Sequence, residues 1–472
     1  MRFKHQLVIW FIFCAFCVNA QQGNYRFNNF GNRSILLAGN VTGSVSDLGL
    51  TYYNPSFLAE SDNVGFSLNA KAYQLDNFEL KNVLNEDSQL SSSRFNNAST
   101  MAGGIFNLLG TKFAYSYLTK SNYNLDLNYS SYYLNDNILE LFPDAERHQA
   151  RIGLNTKTKD DWTGLTWAYK VNEKLSLGIS AFVSIYNFRG GSNLSHTVDS
   201  TNDEVAFFQN NTSFRQKSYG LFIKIGANYN FEYFDFGVNI NLPYIEVYSE
   251  GEFSFSEVIA GAGTQFNKFA DNFFNDLDAR RKEPLGISVG AGIPINNFKL
   301  HLNADYVIGL SKYDRIVIPD IDTGDDNLTP VNFDEERKAV FNFGIGAEYF
   351  LSEKFKAFSG FSTDFNALES SANIFDLSAE ENKDINIGEN FYHMSLGLDW
   401  KLNWASLIMG LTYTSSSGNF ANPYSINADG FEIDNNINSQ IKYTRWQFVV
   451  GIDVPILGKK VSNLLKNEKD DQ

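Results

Sequence analysis

Apolar and polar residues alternate with a period of two in many segments between about residue 63 and residue 454. In 233–242, one face carries Phe234, Phe236, Val238, Ile240 and Leu242. The same pattern recurs in 391–400 and 445–454. A period of two is typical of β-strands with one apolar and one polar face. Each apolar stripe spans about ten residues, the length that a tilted strand needs to cross a bilayer.

Short and long connections alternate between these segments. Six short turns are predicted at 109–110, 171–174, 230–233, 295–297, 351–353 and 402–404. Seven long polar connections are predicted at about 75–97, 125–147, 189–212, 249–282, 313–337, 366–388 and 416–440. Together they join fourteen strands, so we predict an all-β protein, a 14-stranded antiparallel transmembrane β-barrel over 63–455 with the short turns in the periplasm. A soluble sandwich alternates too, but it would have to bury every stripe in one core.

The N-terminus reads as a cleavable signal peptide over residues 1–20. Arg2 and Lys4 precede an apolar stretch at 7–16, and Val18-Asn19-Ala20 has the small residues of a cleavage site. We therefore expect export to the outer membrane of a Gram-negative cell, with 456–472 as a periplasmic tail. The formal net charge of −16 opposes nucleic-acid binding, which needs a basic face.

The segment 21–62 differs from the barrel region because it is rich in small residues and turn formers. It precedes the first predicted strand and is either a plug inside the barrel or a periplasmic cap. A barrel of fourteen strands is wide enough to hold a channel or a plug, and we expect a plug.

Two stretches of this segment resemble the N-terminal hatch of the FadL family of hydrophobic-compound transporters. They are 31–40 (GNRSILLAGN) and 46–59 (SDLGLTYYNPSFLA). The second keeps Tyr53, Asn54, Pro55 and Leu58 of the family pattern, with Ser56 and Phe57 in place of Ala and Gly. The resemblance implies a plugged barrel that takes up hydrophobic molecules and releases them sideways into the membrane. PorV-like barrels of a secretion machine are similar in the same stretch.

The loop 249–282 contains an apolar stripe at helical spacing, which predicts an amphipathic helix at the barrel mouth. The stripe consists of Phe266, Phe269, Phe273, Phe274 and Leu277, with Ala270 between them. As an exposed helix it would capture a hydrophobic ligand. The alternative is that these side chains pack against neighbouring loops, which is the more usual role of an apolar stripe.

Two further groups are candidate site residues. Tyr53, Asn54, Pro55 and Leu58 would form the hatch or gate, unless Asn54-Pro55 is an ordinary turn that starts a strand. Phe182, Tyr186 and Phe222 fall on the lumen-facing register of their strands, where they would line an apolar path or pack against the plug.

Charged residues on the lumen register have both signs, so we expect some of them to pair with each other or with the plug. They are Lys224, Asp235, Lys299, His301, Asp305, Glu348, His393, Asp399, Arg445 and Asp453. The acidic stretch 320–327 lacks the spacing of a calcium loop, and we expect a solvated loop there. No catalytic, metal or cofactor motif is evident, and we expect a protein that is not an enzyme.

Two function classes follow. The first is uptake of a small hydrophobic or amphipathic, fatty-acid-like compound, with outer-membrane lipid and the substrate as partners. The alternative is an accessory barrel that binds other outer-membrane proteins in a secretion or assembly machine. Family analogy favours the first.

Overall fold

The computed structural model describes residues 24–61, 65–81, 89–134, 145–200, 204–261, 263, 267–324, 328–367, 389–420, 426–428, 431–433 and 439–455. The predicted signal peptide and the tail 456–472 therefore lie outside the described residues, as do Phe266 and positions 325–327 of the acidic stretch. No helix in the described part is long and apolar enough to cross a bilayer.

Three short helices precede the strands: α1 Arg33–Leu36, α2 Leu50–Tyr53 and a 3₁₀-helix Pro55–Ala59. The strands are β1 Gly65–Lys81, β2 Gln89–Leu108, β3 Thr111–Leu134, β4 Ala145–Lys170, β5 Leu175–Ser200, β6 Val205–Asn230, β7 Asp235–Asn241, β8 Ile245–Ala260, β9 Lys268–Asp278, β10 Gly286–Ile295, β11 Phe298–Val307, β12 Leu310–Asp314, β13 Ile321–Asp322, β14 Leu328–Thr329, β15 Asp334–Arg337, β16 Val340–Phe350, β17 Phe355–Asp364, β18 Phe391–Lys401, β19 Ser406–Phe420, β20 Ile426–Ala428, β21 Phe431–Ile433 and β22 Ser439–Val454.

Fourteen of these strands close into one antiparallel barrel, which confirms the predicted fold class. The order around the wall is β1, β2, β3, β4, β5, β6, β7, β10, β11, β16, β17, β18, β19 and β22, and β22 pairs with β1. The six predicted short turns all lie at one end, which we call the turn end. The opposite end is the loop end.

The long strand β6 has two different neighbours on one side. Its turn-end part, Lys224–Asn230, pairs with β7, and its loop-end part pairs with β8. The hairpin β8–β9 therefore extends the wall beyond the barrel. Between β7 and β8 the ladder is interrupted at 242–244, where Pro243 has no N–H to donate.

The strand phase predicted for 391–400 is confirmed. Leu396 is 65% exposed on the outward face, and its neighbour Ser395 is 7% exposed on the lumen side. The outward face of the wall is a belt of exposed aliphatic and aromatic residues. Exposure of so many large apolar side chains is unfavourable in water and favourable in hydrocarbon.

Three of the predicted long connections are wrong in length, because the strands run on through most of them. β3 continues to Leu134, and β5 and β6 are separated only by 201–204. Beyond the apolar belt the outward residues are polar, as at Asn124, Asp126 and Asn128. The alternation signal disappears there, whereas the backbone ladder does not depend on it.

Candidate functional site

The N-terminal segment 24–61 lies inside the barrel, because its residues contact all fourteen wall strands. The wall contacts are Ser67, Gly103, Ser116, Trp162, Gly178, Ala227, Gly237, Gly290, His301, Ile345, Phe361, Ser395, Gly410 and Asp453. Only a position in the lumen reaches the whole circumference.

Glycines on the lumen face let the segment approach the wall closely. A Cβ atom on Gly226 would overlap Asn54 Oδ1, and one on Gly344 would overlap Asn40 Oδ1. The Asn40 side chain fills the space at Gly344 and donates to Ile345 O at 3.1 Å and to Phe361 O at 2.8 Å. The segment and the wall are therefore matched in shape as well as in hydrogen bonding.

Ion pairs also join the segment to the wall. Arg33 Nε lies 2.7 Å from Asp399, and its Nη1 lies 2.9 Å from Asp453. Arg26 Nη1 lies 3.2 Å from Asp305. These contacts agree with the expectation that lumen charges pair with each other or with the N-terminal segment, but Lys224 is an exception among the described residues, since its hydrogen-bond partner is the neutral Asn241.

The predicted gate residues are buried at the centre of this packing. The Asn54 side chain donates to Thr42 O at 2.8 Å and to Ala227 O at 3.2 Å, and it accepts from Ser56 N at 3.2 Å. Asn54 caps the 3₁₀-helix that Pro55 begins, so the turn precedes a helix and not a strand. Leu58 is fully buried, and the hydroxyl group of Tyr53 accepts from Phe30 N at 3.0 Å.

A cavity of about 330 Å³ lies between this segment and the loop-end residues. That volume is at the lower limit of small-molecule sites. Its lining comes from three parts of the chain. These are the N-terminal segment (24–29, Gly39, Thr42, Tyr52, Tyr53), the wall (among others Lys120, Tyr123, Asp160, Trp162, Tyr186, Phe222, Lys224) and the loop end (Arg281, Glu283, Pro284, Arg315, Glu335, Arg337).

Aromatic rings form one side of the cavity. Trp162 stacks on Phe222 with ring centroids 4.1 Å apart, and Tyr52 lies 6.0 Å from Trp162. Of the predicted lumen residues, Phe222 and Tyr186 line the cavity, and Phe182 packs behind Trp162 at 5.4 Å. Trp162 is not among the predicted site residues, because the alternation of apolar and polar residues in 147–170 is too weak to assign its face.

Two lysines lie close to the Tyr52 ring. Lys224 Nζ is 3.9 Å from the ring centroid and Lys120 Nζ is 5.7 Å from it. Lys224 donates to Asn241 Oδ1 at 2.6 Å, and Lys120 donates to Tyr25 O at 3.1 Å. Neither forms an ion pair with a carboxylate of the described residues. The hydrogen-bond partners of these two lysine side chains in the described part of the chain, Asn241 Oδ1 and Tyr25 O, are therefore neutral groups.

The arginines at the loop-end side are paired, in contrast to these lysines. They form a chain of alternating charges, the ion-pair chain: Asp160–Arg281 (2.8 Å), Arg281–Glu283 (3.2 Å), Glu283–Arg337, Arg337–Glu335 (2.6 Å) and Glu335–Arg315 (3.6 Å). Burial alone would raise the pKa of Glu283, but the guanidinium groups of Arg337 and Arg281 outweigh it and lower the pKa to about 2.

The predicted helix at the mouth is wrong, since this stretch is strand β9. Its backbone pairs antiparallel with β8 instead of forming a helix, and a bulge at Asp276 (φ 52°) changes the register. Phe269 and Phe273 are therefore exposed on the outward face. Phe274 and Leu277 pack inward against a loop-end cluster that includes Phe253.

The comparisons with known proteins agree on the fold. A Pseudomonas aeruginosa FadL homologue superposes with a TM-score of 0.54 at 10% identity, covering 92% of this chain and 99% of that chain. The P. putida toluene transporter TodX gives 0.55 at 10% identity, covering 90% and 98%. A TodX mutant described as a monoaromatic hydrocarbon channel gives 0.54 at 11% identity, covering 91% and 100%.

This chain has the fold of the FadL-type channels. No protein-family model and no curated protein matches its sequence.

Proposed function

We propose that the protein is an outer-membrane channel that takes up small amphipathic compounds with an apolar body and an anionic head group. The observation that carries the proposal is the cavity, in which the Trp162–Phe222 stack faces Lys120 and Lys224. An anionic head group would give the two lysines the charged partner that the described residues do not supply. The loop end then faces outside, and the segment 24–61 is a plug that closes the barrel.

We infer the path out of the cavity from the interruption of the wall. β10 pairs with β7 only as far as Gly286–Asn241, and the backbone N–H of Tyr244 donates to Glu283 O at 3.1 Å outside any ladder. Ile287 lines the cavity and is also 38% exposed on the outward face. We propose that substrate leaves sideways between β7 and β10 at this position, into the membrane.

The cavity proposal predicts a charge-specific loss of binding in Lys224→Met. The probes are an alkyl carboxylate and the alcohol of the same chain length, measured by fluorescence displacement on the purified protein. A hydrogen bond to a charged group contributes about 1.5–3 kcal/mol, so carboxylate affinity should fall about 10- to 100-fold while alcohol affinity changes little. Lys299→Met is the control, because Lys299 already pairs with Asp235 at 3.1 Å. Equal losses for both probes would contradict the anionic head group.

Blocking the sideways path separates binding from uptake. Ile287→Trp should slow transfer of the carboxylate from solution into lipid vesicles by more than the change in its affinity for the cavity accounts for, because Ile287 both lines the cavity and is exposed on the outward face. Unchanged transfer with unchanged affinity would show that substrate leaves elsewhere.

The second candidate function is an accessory barrel that binds another outer-membrane protein. It is supported by Phe269 and Phe273, which are 72% and 63% exposed on the outward face of β9. Replacing both with Ser should abolish stable co-purification with such a partner and leave carboxylate binding intact. If ligand binding is lost instead, the two rings belong to the predicted capture site.

A further inference from the structure

Three cations lie side by side on the outward face of the wall, outside the cavity. Lys157 on β4 is registered opposite Arg189 on β5, and Arg189 is registered opposite Arg215 on β6. Side chains that are directly opposite on neighbouring strands have Cβ atoms about 4.5–5.5 Å apart, and like charges in such positions repel. We call these three residues the cation row.

Carboxylates pair with the charged residues around the cation row and with Arg215, but not with Lys157 or Arg189 among the described residues. Ion pairs close to the row on this face include Lys159–Asp161 (2.6 Å), Arg215–Glu252 (2.8 Å) and Lys217–Glu250 (2.6 Å). Within the described part of the chain, Lys157 and Arg189 have no carboxylate partner. Two exposed cations therefore lie opposite each other without a carboxylate of the described residues to pair with.

The position of the cation row relative to the apolar belt indicates what the anion is. The belt ends at Ile185 on β5, at Tyr219 on β6 and at Tyr248 on the neighbouring β8, which are all exposed on the outward face. The cation row lies four residues farther toward the loop end, which is about 13 Å along a strand and about 10 Å along the barrel axis at the usual tilt. Long basic side chains can reach from there into the head-group layer.

We propose that the cation row binds a phosphate group of an anionic glycolipid in the outer leaflet. The planar guanidinium group of Arg189 is suited to two phosphate oxygens, and the ammonium group of Lys157 adds a point charge from the neighbouring strand. A bound phosphate removes the repulsion that opposes this pairing of strands. The proposal rests on the orientation given under the proposed function, with the loop end outside, and not on the ligand of the cavity.

The test uses the full chain in neutral-lipid nanodiscs that contain either a bisphosphorylated lipid A or the same lipid without its phosphates. Native mass spectrometry measures retained glycolipid, and thermal unfolding measures stability. The test variant is Lys157→Gln/Arg189→Gln. The matched control is Lys354→Gln/Lys401→Gln, which removes two exposed cations at the turn end.

The wild-type protein and the control should retain the phosphorylated lipid at least about tenfold better than the dephosphorylated one, and the test variant should lose this preference. The effect of the test variant on thermal stability should also depend on the lipid. In neutral lipid alone the test variant should be as stable as wild type or more so, because a repulsion is removed, and with phosphorylated lipid it should be less stable.

Three outcomes would overturn the proposal. One is retention of the phosphorylated lipid by the test variant at the wild-type level. Another is complete displacement of the lipid by inorganic phosphate, which would make the site a free-phosphate site. The third is an equal loss of stability with and without phosphates, which would assign the pair a structural role. If the test variant does not fold, two other variants give the same comparison. Lys157→Arg/Arg189→Lys keeps both charges and should retain the phosphorylated lipid, whereas the single variant Arg189→Gln should lose it.

Discussion

Removing the charge of Arg33 should loosen the N-terminal segment from the barrel wall. In Arg33→Met the apolar stem remains, but Asp399 and Asp453 lose the guanidinium group that lies 2.7 and 2.9 Å away. Breaking a buried pair in this way costs about 3–5 kcal/mol, because the remaining charge is uncompensated. Asp453 still accepts from Asn32 at 2.5 Å and from Ser67 at 2.6 Å, so we expect about 3 kcal/mol, the lower limit.

A loss of about 3 kcal/mol changes the ratio of docked to released segment roughly 100-fold. The measurements are the frequency of large-conductance openings in planar bilayers and the hydrogen exchange of backbone amides in 33–61, and both should rise. The triple variant Arg33→Met/Asp399→Asn/Asp453→Asn should recover most of the loss, because no charge is left unpaired. If the single variant behaves as wild type, or the triple variant is as loose as the single one, the uncompensated charge is not what matters.

Three further predictions concern the wall, the lumen and pH. Leu396→Arg should lower the free energy of unfolding by about 2–4 kcal/mol or block assembly, because the side chain faces hydrocarbon. Ser395→Arg should assemble, but it should displace the N-terminal segment, because its side chain faces the lumen. Heat-modifiable gel migration reports assembly, and conductance reports displacement of the segment. Deleting 24–58 should leave a folded barrel with large, unselective conductance, and a closed barrel would contradict the plug. Glu283 has a folded-state pKa lowered to about 2, so its contribution to stability is complete above its ordinary pKa and is lost as the pH falls toward 2. Openings should therefore increase between about pH 5 and pH 2 in the wild type. In Glu283→Gln this increase should be smaller, because only the other paired carboxylates, such as Asp399 and Asp453, still lose their charge.

The repeating pattern along the chain was sufficient to predict the barrel, its strand number and the lipid-facing phase of strands such as 391–400. The reason is that a lipid-exposed wall leaves an apolar residue at every second position and a short turn at one end, and both are local features. The pattern also led to Phe222 and Tyr186, which do line the cavity. It became uninformative where the strands leave the bilayer, since polar residues on both faces are equally compatible with a loop.

Only the tertiary structure decided which residues meet. The helical spacing of Phe269, Phe273 and Leu277 was real in the sequence, but pairing of β9 with β8 overrode it. Lys120 on β3 and Lys224 on β6 lie close to Tyr52 of the N-terminal segment. No short-range spacing in the sequence relates these three residues. Contacts of this kind depend on strand register and on the path of the segment through the lumen, which a period of two along one strand does not encode.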